Sequence, residues 1–132
     1  MDKAVQYKSD DRELGTAAFL ALVQQVWPGT YSAERTRAAL ARTLNVTAWD
    51  GDCLVGCVRL LTDGYLFGTV TEILVLPEYR RRGVGSKLME LAWEASPTSL
   101  FLGAQPGKEP FFEQLGYQPS LASYHRKKPR QK

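Results

Sequence analysis

Leu74-Val-Leu-Pro-Glu-Tyr-Arg-Arg-Arg-Gly-Val-Gly-Ser-Lys-Leu88 decides the reading of this chain. An apolar strand runs into an Arg/Gly turn, and the turn opens directly into a helix from about Ser86. Gly83 and Gly85 lack a Cβ, so the backbone can turn sharply and a ligand can approach its N–H groups. The helix start aims unpaired N–H groups and the positive end of its dipole at the same spot. Arg80, Arg81 and Arg82 add planar cationic forks suited to phosphate oxygens. The segment therefore predicts a site for a phosphate-bearing ligand. It is not a dinucleotide fingerprint, because Leu88 stands where a third glycine is needed. Nor is it a phosphate loop, which requires Gly-Lys followed by Ser or Thr.

Working outward, the chain alternates strands and helices. Ala4 to Lys8 is a short strand. Phe19, Leu22, Val23 and Val26 follow the spacing of an amphipathic helix, which Trp27-Pro-Gly-Thr-Tyr31 breaks. Ser32 is placed to cap a helix running to about Thr43. Leu44 to Trp49 and Cys53 to Leu61 read as strands joined at Asp50-Gly51, a hairpin signal. Asp63-Gly64 makes a second turn before the strand Thr69 to Leu76, which is apolar on both faces at Ile73, Leu74 and Val75, as a buried strand is. Downstream, Leu88, Leu91, Ala92 and Ala95 give the next helix its apolar face until Pro97 stops it. Ser99 to Leu102 reads as the following strand, completing a βαβ unit. Phe111 to Leu115 is a short helix ended by Gly116, and the remainder suits a closing hairpin.

Composition sets outer bounds. The 132 residues suit a single core, and 44% hydrophobic with 23% charged residues is ordinary for a globular domain. No apolar run is long enough for a membrane helix, and the polar start carries no signal-peptide core, so a cytoplasmic location is expected. The net charge of +3 is concentrated at one end. Arg126, Lys127, Lys128, Arg130 and Lys132 fill a basic tail, leaving 12 basic against 14 acidic residues elsewhere. Without interleaved aromatics such a tail reads as a solvated end rather than a nucleic-acid platform. Cys53 and Cys57 lie on one strand face, badly placed for a disulfide, and are expected as free thiols.

Arg80-Arg-Arg-Gly-Val-Gly85 fits the Arg/Gln-x-x-Gly-x-Gly/Ala signature of the GCN5-related N-acetyltransferases (GNAT). The preceding Leu76-Pro-Glu-Tyr79 and the later Phe111-Phe-Glu-Gln-Leu-Gly-Tyr117 match as well. The chain resembles that family from about Lys3 to Tyr124. The resemblance implies an α/β fold: a mixed, mostly antiparallel sheet splayed between two parallel strands and flanked by helices. Residues 1–125 would form that domain and 126–132 the tail. Acetyl-coenzyme A would be the co-substrate, with no metal, and a small-molecule or protein amine the acceptor. Dimerisation is common in the family, and the final strands are where it would occur.

The resemblance also distributes roles. Backbone groups of Leu74, Val75 and Leu76 would hold the pantetheine arm like an added strand. Amides of Arg82, Gly83, Val84, Gly85 and Ser86 would hold the pyrophosphate, with Arg80, Arg81 and Lys87 nearby. Gln105 stands close to where relatives use an Asn, and Phe112 stands where many have a Tyr that protonates the departing thiolate. Tyr117, Tyr124 or water would have to substitute. An attacking amine must lose a proton, and Glu72, which interrupts an apolar strand, is the candidate base; an ion pair with Arg59 is the structural alternative. An N–H near Leu74 would stabilise the oxyanion. Trp27, Tyr31 and Tyr124 could wall the acceptor side. A covalent route through Cys53 or Cys57 is disfavoured, since the sole histidine, His125, is remote in sequence. The expected activity is therefore acetyl transfer to a primary amine by direct attack in a ternary complex. The competing reading is a catalytically weak acyl-coenzyme A sensor or partner-binding module.

Overall fold

A computed structural model describes residues 5–129. The chain runs β1 (Gln6–Lys8), α1 (Thr16–Val26), α2 (Ala33–Ala41), β2 (Leu44–Asp50), β3 (Cys53–Thr62), β4 (Gly68–Val75), a single 3-10 turn (Pro77–Tyr79), α3 (Val84–Ala95) and α4 (Glu109–Gln114). The four strands form one antiparallel sheet in the order β1-β2-β3-β4. Ala4, expected to open the first strand, lies outside the described residues.

Helix α1 forms because Phe19, Leu22 and Val23 make one apolar stripe, and all three are buried. It ends where Trp27 and Pro28 break the pattern. Ser32 caps α2 by accepting the Arg35 amide at 3.2 Å, leaving that helix two residues shorter than expected. Gly51, at φ 61°, makes the tight turn from β2 to β3. Both helices pack on one sheet face, where the side chains of Arg59, Glu72 and Leu74 point. Helix α3 covers the other face, with Leu88, Met89 and Ala92 fully buried. A Cβ on Gly56 would come within 2.8 Å of Leu88 Cδ1 and 3.3 Å of Val84 Cγ1. That glycine lets helix and sheet meet.

Two expectations at the end of the chain are corrected. Ser99 to Leu102 forms no extended strand; its pairing shrinks to a parallel bridge between Thr69 and Phe101. Val70 donates to the Phe101 carbonyl at 2.9 Å and Phe101 donates to Gly68 at 3.0 Å, and Phe67 stacks on Phe101 at 5.5 Å. Beyond that bridge the two segments part, so the splay comes almost at once. The expected closing hairpin is absent as well: residues 117–129 contain no strand and, apart from Tyr117, are exposed. Pro119, Pro129 and a basic run give that segment little apolar surface to bury. β4 is correspondingly less enclosed than a central strand. Leu74 is buried, while Ile73 and Val75 are only half so.

Candidate active site

The Arg/Gly turn is shaped by left-handed backbone. Arg81 sits at φ 61° and Gly83 at φ 83°; only the glycine adopts this without cost. Gly83 is the N-cap of α3 and supplies no side-chain cap. The first helical bond runs from the Lys87 amide to the Gly83 carbonyl at 3.0 Å. The amides of Val84, Gly85 and Ser86 therefore have no partner from within the helix. The arginines are not equivalent. Arg80 donates through Nε to the Val75 carbonyl at 3.1 Å. Arg82 stacks over Tyr79, 4.8 Å from its ring centroid, and reaches the Glu78 carbonyl. Tyr79 in turn donates to the Asp50 carboxylate, which raises its phenol pKa and fastens the turn to the end of β2.

Next to this turn, β4 carries a bulge that sequence alone gave no sign of. Arg59 pairs with Glu72 and Leu60 with Val70, so Thr71 is the extra residue. A bulge changes which amides face which way. Before it, Val70 donates outward to Phe101; after it, Leu76 donates inward to Val55 at 2.9 Å. Alternation then turns the amides of Glu72 and Leu74 towards β3, and those of Ile73 and Val75 towards the open edge. The expected donor at Leu74 thus shifts by one residue to its neighbours. Leu76 likewise spends its amide on β3.

On the α1–α2 face of β4 lies a pocket of about 200 Å³. Its floor is Glu72, Arg59 and Leu74, and its walls come from α1, α2 and the loop between them. Arg59 and Glu72 form a bidentate pair, the second contact being Nη2 to Oε1 at 2.9 Å. Thr71 Oγ1 donates to the same Oε1 at 2.7 Å. Arg59 also lies over the Phe19 ring at 5.7 Å. Burial works against its charge, but Glu72 outweighs burial and the guanidinium pKa is raised. The pair is well enclosed, with side-chain exposures of 19% and 12%. Thr36 and Tyr31 stand higher on the wall, and Tyr31 donates its hydroxyl to the Trp27 carbonyl at 2.8 Å.

The structure thus brings Glu72, Trp27 and Tyr31 to one pocket and sets the Arg/Gly turn at the end of the same strand. It does not bring Tyr124, which is 91% exposed. Gln105 and Lys87 face outward. Phe112 packs edge-on between Phe111 and Tyr117, and the Tyr117 hydroxyl is buried without a hydrogen-bond partner, its pKa raised by burial. Cys53 and Cys57 are both free. Phe19, Val23, Ala39 and Leu40 also line the pocket. Their helical periodicity reads as core, and nothing in it distinguishes a residue that borders a cavity. Among the described residues, no His, Cys, Asp and Glu cluster could hold a metal, and no helix is long and apolar enough to cross a membrane.

An edge strand with free amides, leading into a helix start with free amides and backed by a pocket, can hold a ligand with an amide-rich arm and a phosphate group. A family model described as an acetyltransferase (GNAT) domain matches residues 42–119, more than half of the chain. A GNAT-family acetyltransferase from Streptococcus pneumoniae is 26% identical, with a TM-score of 0.73 over 94% of this chain and 100% of its own. A protein of Xanthomonas campestris assigned to the same family has a TM-score of 0.80 at 20% identity, over 96% and 95% of the two chains. The aminoglycoside N-acetyltransferase AAC(6')-Iy, bound to a bisubstrate analogue of coenzyme A and acetylneamine, has a TM-score of 0.74 at 15% identity, over 96% and 100%. These last two likenesses concern the fold alone. A relative from Gibberella zeae, provisionally named an acetyltransferase, is 42% identical over 41 residues, 31% of this chain and only 23% of its own length. This chain belongs to the GNAT acetyltransferase family.

Proposed function

We propose that this protein moves the acetyl group of acetyl-coenzyme A onto a primary amine by direct attack in a ternary complex. One observation carries the reading: the outward amides of Ile73 and Val75 lead into the unpartnered amides of Val84, Gly85 and Ser86, while Glu72, beside Ile73, opens into the pocket. The residues fit acetyl-coenzyme A in two respects. Helix-start amides with no side-chain cap suit a pyrophosphate, and an open strand edge suits an amide-rich arm. Bound there, acetyl-coenzyme A supplies an acetyl group already activated as a thioester.

The chain's own residues do the rest. The Ile73 and Val75 amides are donors for a carbonyl oxygen that gains charge. Glu72 takes the amine proton, directly or through water. Arg59 and Thr71 leave part of its lone-pair capacity free, and Arg59 keeps the carboxylate oriented. Phe112 has no proton to give, the Tyr117 hydroxyl is enclosed and Tyr124 stands in solvent. The proton for the leaving thiol therefore comes from water.

A sensor that binds acyl-coenzyme A with little catalysis is the second reading. It is favoured by the bidentate hold of Arg59 on Glu72 and by Phe112. The deciding experiment measures acetyl-coenzyme A binding by calorimetry, and coenzyme A release with a panel of amines, on one sample. Amine-dependent release supports the transferase. Binding without release on any amine supports the sensor, and no binding removes both.

A further inference from the structure

We propose that the acceptor is a small primary amine with a single ammonium on an apolar, aromatic body, and not a polycationic amino sugar. The inference rests on the acetyl-transfer reading and names the acceptor class of that site.

The first argument is charge. Among the described residues, the only ionised ones lining the pocket are Arg59 and Glu72, and they neutralise one another through two hydrogen bonds. From Thr16 to Ala41, the helices and loop that wall the pocket contain one acid, Glu34, against Arg35 and Arg37. A polyamine sugar brings several ammonium groups, and each one desolvated without a carboxylate is penalised. Glu34 is not among the residues that line the pocket, so beyond Glu72 the lining offers no carboxylate. A single ammonium can meet Glu72 at the floor.

The second argument is surface. Phe19, Val23, Leu40 and Leu74 present hydrocarbon, and Trp27 and Tyr31 add ring surface at the rim. Trp27, just past the end of α1, remains 44% exposed, although Val23 one turn earlier is buried. A half-open tryptophan over an apolar cavity suits a flat apolar ligand and gives an entering cation a ring face. The Tyr31 hydroxyl is tied to the Trp27 backbone carbonyl, which fixes the Tyr31 ring at the rim. At about 200 Å³ the cavity is adequate for one aromatic ring on a short amine chain.

The test compares 2-phenylethylamine with neamine on the full chain. Acetyl transfer is followed by thiol release, and binding of each amine is followed by calorimetry with coenzyme A present. The expected result is a kcat/KM at least 100-fold higher for 2-phenylethylamine. Ala39→Glu should narrow that preference by about tenfold, by adding an acid to the wall at an exposed helical position. Tighter binding or faster acetylation of neamine overturns the proposal and leaves the transferase reading standing. Binding of 2-phenylethylamine without acetylation overturns the proposal as well, while the transferase reading stands or falls with the wider amine panel. Failure of 2-phenylethylamine both to bind and to react overturns the proposal.

Discussion

Glu72 shows how one residue can carry structure and chemistry together. An acid on an otherwise apolar strand is costly unless paired, and Arg59, directly opposite across the bulge, supplies the partner. Glu72→Gln should therefore have two effects. Urea denaturation should show a loss of about 1–3 kcal/mol, as expected for hydrogen bonds to a charged group, and the double variant Arg59→Met/Glu72→Leu should recover most of it. The amine-dependent rate should fall by about 10²–10⁴-fold, the usual scale for a lost proton acceptor, with acetyl-coenzyme A affinity unchanged. A rate close to that of the parent protein would assign Glu72 to structure alone. Cys57 allows a pH prediction. Burial first, then the charge of Glu72, pushes its thiol up to about 12 from 9.0. The folded state disfavours the thiolate, so this contribution to stability is complete below pH 9 and lost as pH rises from 9 through 12. Alkaline denaturation curves should lose that slope in Cys57→Ala. In the native protein at pH 8, Ellman's reagent should modify exposed Cys53 and spare Cys57.

At the scale of elements, the turn from β4 into α3 is the most constrained segment. Gly85 lies in the first turn of α3, whose first amides are open, and a Cβ there would lie 3.4 Å from Phe111 and 3.6 Å from Ile73, ordinary contact distances. Gly85→Ala should therefore fold normally. Gly85→Glu should abolish acetyl-coenzyme A binding in calorimetry while circular dichroism and melting stay close to the parent, because its charge opposes a pyrophosphate at the helix start. Gly83 differs, since φ 83° strains any side chain. Gly83→Ala should cost about 1–2 kcal/mol in thermal or urea melts. The element pattern was legible in sequence because each signal was local: Ser32 as a cap, Gly51 in a tight turn, Pro97 as a stop. Thr71 was not legible as a bulge, because an extra residue is defined only against the strand it faces. The final hairpin failed for another reason. Its turn-rich sequence is compatible with strands, but Pro119, Pro129 and the basic run leave them little apolar surface to bury.

Over the whole molecule, stability concentrates where the layers meet and thins towards the end of the chain. Residues 118–129 are exposed and make no strand pairing, so trypsin should cut first after Arg126 and Lys127. The remaining core should keep its cooperative melt within a few degrees, since exposed segments of this kind contribute little to global stability. Early cleavage instead at Arg80–Arg82 would show that the turn opens more readily than its ties to Tyr79 and Val75 suggest. The sequence by itself determined the alternation of strands and helices, and it made Arg80 to Gly85 the candidate for a phosphate group and Glu72 the candidate base. These follow from periodicity, glycine freedom and the cost of a lone charge, all of which are local. Tertiary structure alone decided that Arg59 meets Glu72, that Ile73 and Val75 rather than Leu74 face the open edge, and that Phe19 to Tyr31 close over a pocket. Those facts depend on register and packing between segments far apart in the chain.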